Sequence, residues 1–117
     1  MDVRIKRAYE PAADSDGYRV LVDRLWPRGV SKQAAAIDWW AKELSPSTEL
    51  RKWFGHDPAL WDEFQRLFRE ELHDQGEGLA RLRELAAKGC VTLIFAAHDE
   101  EHCNAVVLQA LLAHRHG

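Results

Sequence analysis

A chain of 117 residues with 46% hydrophobic content can bury one real core, and a single α/β domain spanning 1–117 is the expectation. Sixteen Lys+Arg against 19 Asp+Glu leave a net charge of −3, which favours no polyanion and makes nucleic acid an unfavoured partner. The opening MDVRIKRAYEP lacks the apolar core and small-residue cleavage site of a signal peptide, and no apolar run approaches about 18 residues. A soluble, cytoplasmic protein with no membrane partner is expected.

In chain order, Val3, Ile5 and Ala8 alternate with Arg4, Lys6 and Arg7, the pattern of an edge strand with one wet face. Pro11–Gly17 is rich in turn formers and reads as loop. Tyr18–Leu25 carries Val20, Leu21 and Val22 in an unbroken apolar run, the mark of a central strand covered on both faces. Pro27 and Gly29 end it, and Ser31 is a candidate cap for a short helical turn over Lys32–Ala36. Ala36–Leu44 fits both periods, and the reading leans to a short strand.

Ser45-Pro46-Ser47 signals a helix start, with proline in the first turn, and Gly55 closes that helix. Asp57-Pro58 opens a second, in which Leu60, Trp61, Phe64, Leu67, Phe68 and Leu72 recur at helical spacing. Gly76 and Gly78 break it, and Leu79, Leu82, Leu85 and Ala86 mark another that stops at Gly89. Val91–Ala96 is a second buried strand, followed by Asp99 as the expected N-cap of a last helix that buries Ala105, Leu108, Leu111 and Leu112. The tail His114–Gly117 reads as a fraying helix end. Together these elements predict an α/β fold, a small mostly parallel sheet of three or four strands flanked by helices.

Ligands of such sheets bind outside the carboxyl ends of the strands. Two clusters meet there: Asp23, Arg24, Trp26 and Arg28 after one strand, and His98, Asp99 and His102 after the other. Arg24 and Arg28 are suited to gripping a phosphate or carboxylate by forked hydrogen bonds, with Trp26 as an apolar wall and His56 as a further ligand-binding candidate. If the protein is an enzyme, Asp23 or Asp99 is the candidate general base and His98 or His102 the proton carrier.

A plainer reading competes, in which Arg24 or Arg28 only pairs with Asp99, Glu100 or Glu101 and locks the loops together. The His98, Asp99, His102 and Cys103 group contains zinc-ligand types, but the spacing is weak evidence and no metal is assigned. Cys103 is a candidate nucleophile or, more commonly for its type, a buried small hydrophobe. A bridge to Cys90 is excluded, because Val91–Ala96 extended at about 3.3 Å per residue holds the pair beyond a roughly 7 Å limit. Most of the five tryptophans are expected in the core. No GxGxxG, Walker loop, HExxH or CxxC occurs, and no cofactor is assigned.

The runs RVLVDRLWPRGVSK, ELSPSTELRKWFGHDPALWDEF and VTLIFAAHDEEHCNAVVL resemble the YeaO-like family, small bacterial proteins grouped as a domain of unknown function. The resemblance spans nearly the whole chain and implies a compact α/β domain in a bacterial cytoplasm, with no established activity, cofactor or catalytic residue. Position 98 is more usually Arg or Lys in that family and position 103 Asn, which weighs against a metal held by His98 or Cys103. The expectation is thus a protein that binds a small anionic ligand at the strand ends, whether or not it catalyses a reaction. The alternative is a non-catalytic interaction module built on the tryptophan-rich middle.

Overall fold

The computed structural model describes residues 2–113, so the expected fraying tail His114–Gly117 lies outside the described residues. Strands β1 (Val3–Arg7), β2 (Tyr18–Leu21), β3 (Trp39–Trp40) and β4 (Val91–Phe95) form one sheet in the order β1-β4-β2-β3, every neighbouring pair parallel. Helices α1 (Lys32–Ala35), α2 (Thr48–Phe54), α3 (Trp61–Leu72), α4 (Gly76–Lys88) and α5 (Asn104–Ala113) complete the α/β fold expected from the sequence. The two apolar runs take the two interior positions, and all five residues of β4 are buried. The strand with alternating charge, β1, is an edge. The ambiguous Ala36–Leu44 resolves into the two-residue edge strand β3 and a 3-10 turn over Lys42–Leu44.

The register pairs Ile5 with Leu93 and Val20 with Leu93, and Lys6 and Leu21 with Ile94. Registered partners in a parallel sheet share a face. Val3, Ile5, Val20, Val91, Leu93 and Phe95 therefore face one way, where Leu50, Phe54, Phe64, Phe68, Leu82 and Leu108 of α2 to α5 pack on them as the main core. On the opposite face Ala8, Leu21 and Ile94 make only a small cluster with Trp26, Ile37 and Trp40. The cause lies in the connections: β1 reaches β2 through a 3-10 turn over Asp14–Asp16, and β2 reaches β3 with only the single-turn α1.

What this thin face lacks in apolar contact it replaces with a buried polar clamp. Asp16 accepts from Lys6 Nζ at 3.1 Å, Arg19 Nη1 at 2.6 Å and the Ala13 amide at 2.9 Å, while the Thr92 hydroxyl donates to its carbonyl at 2.6 Å. Arg19 Nε also donates to the Ala35 carbonyl at 2.9 Å, tying α1 to β2. Burial works against the ionised Asp16 carboxyl, but the Ala13 amide, Lys6 and Arg19 outweigh it and hold its pKa below the ordinary value of 3.8. Gly17 follows with φ +66°, and any Cβ there would overlap the Cys90 carbonyl, to which the Tyr18 amide donates at 3.0 Å.

Several local expectations are corrected. Ser47 is the N-cap of α2, accepting from the Leu50 amide at 3.1 Å, so Pro46 precedes the cap and does not sit in the first turn. Asp57 caps a 3-10 turn over Pro58–Leu60 that leads into α3. The last helix starts at Asn104, so Asp99 is not its N-cap. Four of the five tryptophans, at 26, 39, 40 and 61, pack against the core as expected but are only partly buried, with Trp39 and Trp40 at the sheet edge under Arg81 and Lys42, and Trp53 is exposed. An indole is too large and too polar at its N–H to be enclosed cheaply in so small a core. No helix among the described residues is long and apolar enough to cross a membrane.

Removing one member of a buried ion cluster strands its partners. Asp16→Ala is expected to lower unfolding free energy by about 3 kcal/mol in denaturant titrations near neutral pH. Because the folded pKa of Asp16 is depressed, its contribution is present above the ordinary carboxylate value and is lost as pH falls through the folded value. The gap between wild type and Asp16→Ala should therefore close on acidification below about pH 4.

Candidate functional site

Because β2 and β4 are parallel neighbours, the loops that follow them emerge side by side. They border a cleft of ≈ 460 Å³, within the range of small-molecule sites, closed on its other side by residues from α2 and α3. All eight residues singled out from sequence line it: Asp23, Arg24, Trp26 and Arg28 from the β2 loop, His98, Asp99 and His102 from the β4 loop, and His56 from the turn after α2.

Asp23 sits at the base. One carboxylate oxygen accepts from the Ala96 amide at 2.9 Å and the other from Asn104 Nδ2 at 3.1 Å. Its carbonyl accepts from Trp40 Nε1 at 2.8 Å. Asn104 Nδ2 reaches the Val22 carbonyl as well, at 2.6 Å. Burial pushes the Asp23 carboxyl above its ordinary value, opposed by the Ala96 and Asn104 hydrogen bonds and by the charges of Arg51 and His56. Both oxygens of this candidate base are thus engaged in joining the ends of β2 and β4 to the start of α5.

Asp99 is engaged as fully. Its Oδ1 accepts from the Glu101 and His102 amides at 2.9 and 3.0 Å, and its Oδ2 lies 2.9 Å from His102 Nδ1. The Glu101 amide, then the His102 ring, hold its pKa below the ordinary value. The stretch read as the beginning of a helix is therefore a turn, stabilised by an aspartate that folds back on itself. His102 packs edge-on against Trp61, with ring centroids 5.3 Å apart. His98 is exposed, its Nδ1 3.4 Å from Arg7 Nη2, while Arg7 Nε donates to the Ala97 carbonyl at 2.9 Å.

The arginines behave differently from the carboxylates. Arg24 is exposed and its one hydrogen bond is a long one, 3.4 Å from Nε to the Pro46 carbonyl. Arg28 is exposed and has no hydrogen bond or ion pair among the described residues. Neither pairs with Asp99, Glu100 or Glu101, so the purely structural reading of these two side chains is not what the geometry shows. Arg51 of α2 joins them in the lining, also without an ion pair among the described residues. Sequence reasoning missed Arg51, although its i,i+3 relation to Phe54 and its position one turn before Gly55 offered a signal. It also missed Asn104, whose neighbours Cys103 and Ala105 gave the run an apolar look.

Trp26 forms the expected wall, its Nε1 donating to the Val30 carbonyl at 2.6 Å and its ring edge-to-face with Trp40 at 5.3 Å. Phe54 and Phe64, stacked with centroids 4.3 Å apart, line the opposite side. Gly55 and His56 both take left-handed backbone conformations, φ 52° and 58°, which turn His56 back toward the cleft. Cys103 is buried at its floor, and burial drives its thiol pKa up to about 11, against the amides of Val106 and Ala105. Cys90 and Cys103 are both free. No group of three or more His, Cys, Asp or Glu among the described residues is placed to hold a metal.

Fold and cleft together define a small α/β protein with a parallel sheet and a pocket lined by arginines without an ion pair among the described residues and by hydrogen-bonded carboxylates. The chain belongs to the family described as the inactive DUF488-N3 subclade, whose model matches residues 2–116. It is 44% identical over 108 residues to the uncharacterized protein YeaO of Escherichia coli K12, covering 92% of this chain and 94% of that one, which confirms the YeaO-like resemblance. It is likewise 44% identical over 110 residues to the uncharacterized protein Rv3073c of Mycobacterium tuberculosis H37Rv, covering 94% and 92%. No solved structure matches.

Two measurements check this geometry. In the native protein at about pH 8, Cys103 should resist alkylation and should label only after denaturation, as peptide mass spectrometry would report. Asn104→Ala should cost about 1–3 kcal/mol, read by denaturant unfolding, because the Val22 carbonyl and the Asp23 carboxylate each lose a buried donor.

Proposed function

We propose that the protein binds a small anionic ligand, bearing phosphate or carboxylate, in the cleft at the carboxyl ends of β2 and β4. The observation that carries this reading is the convergence of Arg24, Arg28 and Arg51 on one concave site without a carboxylate partner for any of them among the described residues. Guanidinium groups left uncommitted in a partly apolar cleft offer forked donors in a setting that strengthens each bond to an oxyanion.

Binding without chemistry is the better supported form. A general base needs a free lone pair within reach of its proton. Each oxygen of Asp23 and of Asp99 already accepts a hydrogen bond from its own chain, which gives both carboxylates a structural task and leaves them fewer free lone pairs. The one cysteine in the cleft is held as a thiol, with a pKa about four units above neutral pH, so it supplies no nucleophile. The family's description as an inactive subclade agrees with this. Free thiols fit the reducing cytoplasm in which we place the protein.

The rival reading, an interaction module, has one supporting observation. Trp53 is 44% exposed in a shallow groove between α2 and α3, near Glu49 and Asp74. The other exposed large apolar side chains serve different features, Tyr9 lying under Arg7 and Leu25 lining the cleft. A contiguous apolar patch of the size that marks a docking face is not formed by such separate residues.

Calorimetric or NMR titration with inorganic phosphate and pyrophosphate tests the proposal. Saturable binding is expected, weakening as salt rises. Arg28→Ala and Arg51→Ala, at exposed positions that leave the core intact, should each reduce affinity about tenfold or more. Wild-type affinity in both variants, or no saturable binding to either anion, would falsify the reading.

A further inference from the structure

The size and walls of the cleft say more about the ligand than its charge does. A site of ≈ 460 Å³ is many times the roughly 30 Å³ that one water molecule occupies in the liquid. A bare phosphate or short-chain acid held by the arginines would leave most of that space as water against apolar walls. Three aromatic side chains, Trp26, Phe54 and Phe64, contribute to that lining.

Trp26 is particularly informative. Its only hydrogen-bonding group is spent on the Val30 carbonyl, so what it offers to the cleft is ring surface alone. Its orientation is fixed from behind by Trp40, whose own N–H is tied to the Asp23 carbonyl. A rigid, half-buried indole beside a set of guanidinium groups is a stacking platform next to an anion grip, and Arg24 and Arg28 flank it in sequence two residues on either side. Stacking on such a platform tolerates any flat ring, since every aromatic ring has a π face.

Building on the anion-binding reading, we infer that the ligand is a phosphate monoester of a planar aromatic molecule, with its phosphate on Arg24, Arg28 and Arg51 and its ring laid on Trp26. A nucleoside monophosphate and a simple aryl phosphate share this chemistry, and they differ in the length of the spacer between ring and phosphate.

A calorimetric titration series on the wild-type protein and on two Trp26 variants, with the Trp26 indole N–H signal in NMR as a second readout for the wild type, separates the cases. The probes are inorganic phosphate, ribose 5-phosphate, phenyl phosphate and adenosine 5′-monophosphate. At least one of the two aromatic esters should bind about tenfold or more tightly than both inorganic phosphate and ribose 5-phosphate. Which of them does so reports the spacer. In Trp26→Ala that advantage should vanish while inorganic phosphate binding persists, and Trp26→Phe should restore most of it. If ribose 5-phosphate matches the aromatic esters in the wild type, the ring contributes nothing and this inference is overturned while anion binding stands. If inorganic phosphate and all three esters fail to bind, both readings fall together.

Discussion

The carboxylate of Asp23 is the joint on which this structure turns. Through the Ala96 amide it fixes the end of β4 and through Asn104 the start of α5, while the backbone carbonyl of the same residue holds the indole of Trp40 in β3. Four elements distant in sequence are set by one residue two positions beyond β2. The arrangement requires a buried charge or proton at the sheet end, and burial does push its pKa upward. Two strong donors offset much of that cost, in keeping with the rule that buried polar groups persist where they are fully hydrogen-bonded. The cleft exists because this joint holds the two loops side by side with their arginines directed elsewhere than to each other's carboxylates.

In the cleft, side chains of catalytic residue types carry much of the local hydrogen bonding. Carboxylates and imidazole here satisfy backbone amides and one another: Asp99 organises its own turn and orients His102, and Arg7 braces the carbonyls of Ala96 and Ala97 from outside. Cys103 sits beneath them as a packed thiol, not a reagent. Among the described residues that line the cleft, Arg28, Arg51 and His56 make no side-chain hydrogen bond or ion pair, and the aromatic rings add apolar surface.

The fold was legible because its two interior strands are marked by unbroken apolar runs, and because the helices of the middle carry a clear period. Convergence of the loops after them followed from the general behaviour of parallel sheets. The finer differences have separate causes, of which one is the tendency of side chains to satisfy local backbone in ways that mimic a different element. Asp99 has the composition of a helix cap, yet its two oxygens close a separate turn, and the helix waits until Asn104. Arg51 lies on a helix far along the chain, and only the packing of α2 over the sheet brings it to the strand ends. The tryptophans suggested a core by hydrophobicity, but they pack at its margins, where the N–H groups of Trp26 and Trp40 find the carbonyls of Val30 and Asp23.

The position of β4 also governs how the chain can acquire its structure. It lies between β1 and β2, which have no ladder with one another, and its register with β1 joins Val3 to Val91. Until β4 is in place, β1 has no strand to pair with and β2 keeps only the short ladder to Trp39 and Trp40. The most apolar strand thus completes the sheet, and it pairs with β1 across most of the length of the chain. Such a topology places the loop-closure cost before the gain and makes folding slow for its size. During synthesis, the first ninety or so residues emerge without the strand that would make them a sheet, and their exposed apolar surface depends on the final quarter of the chain for cover.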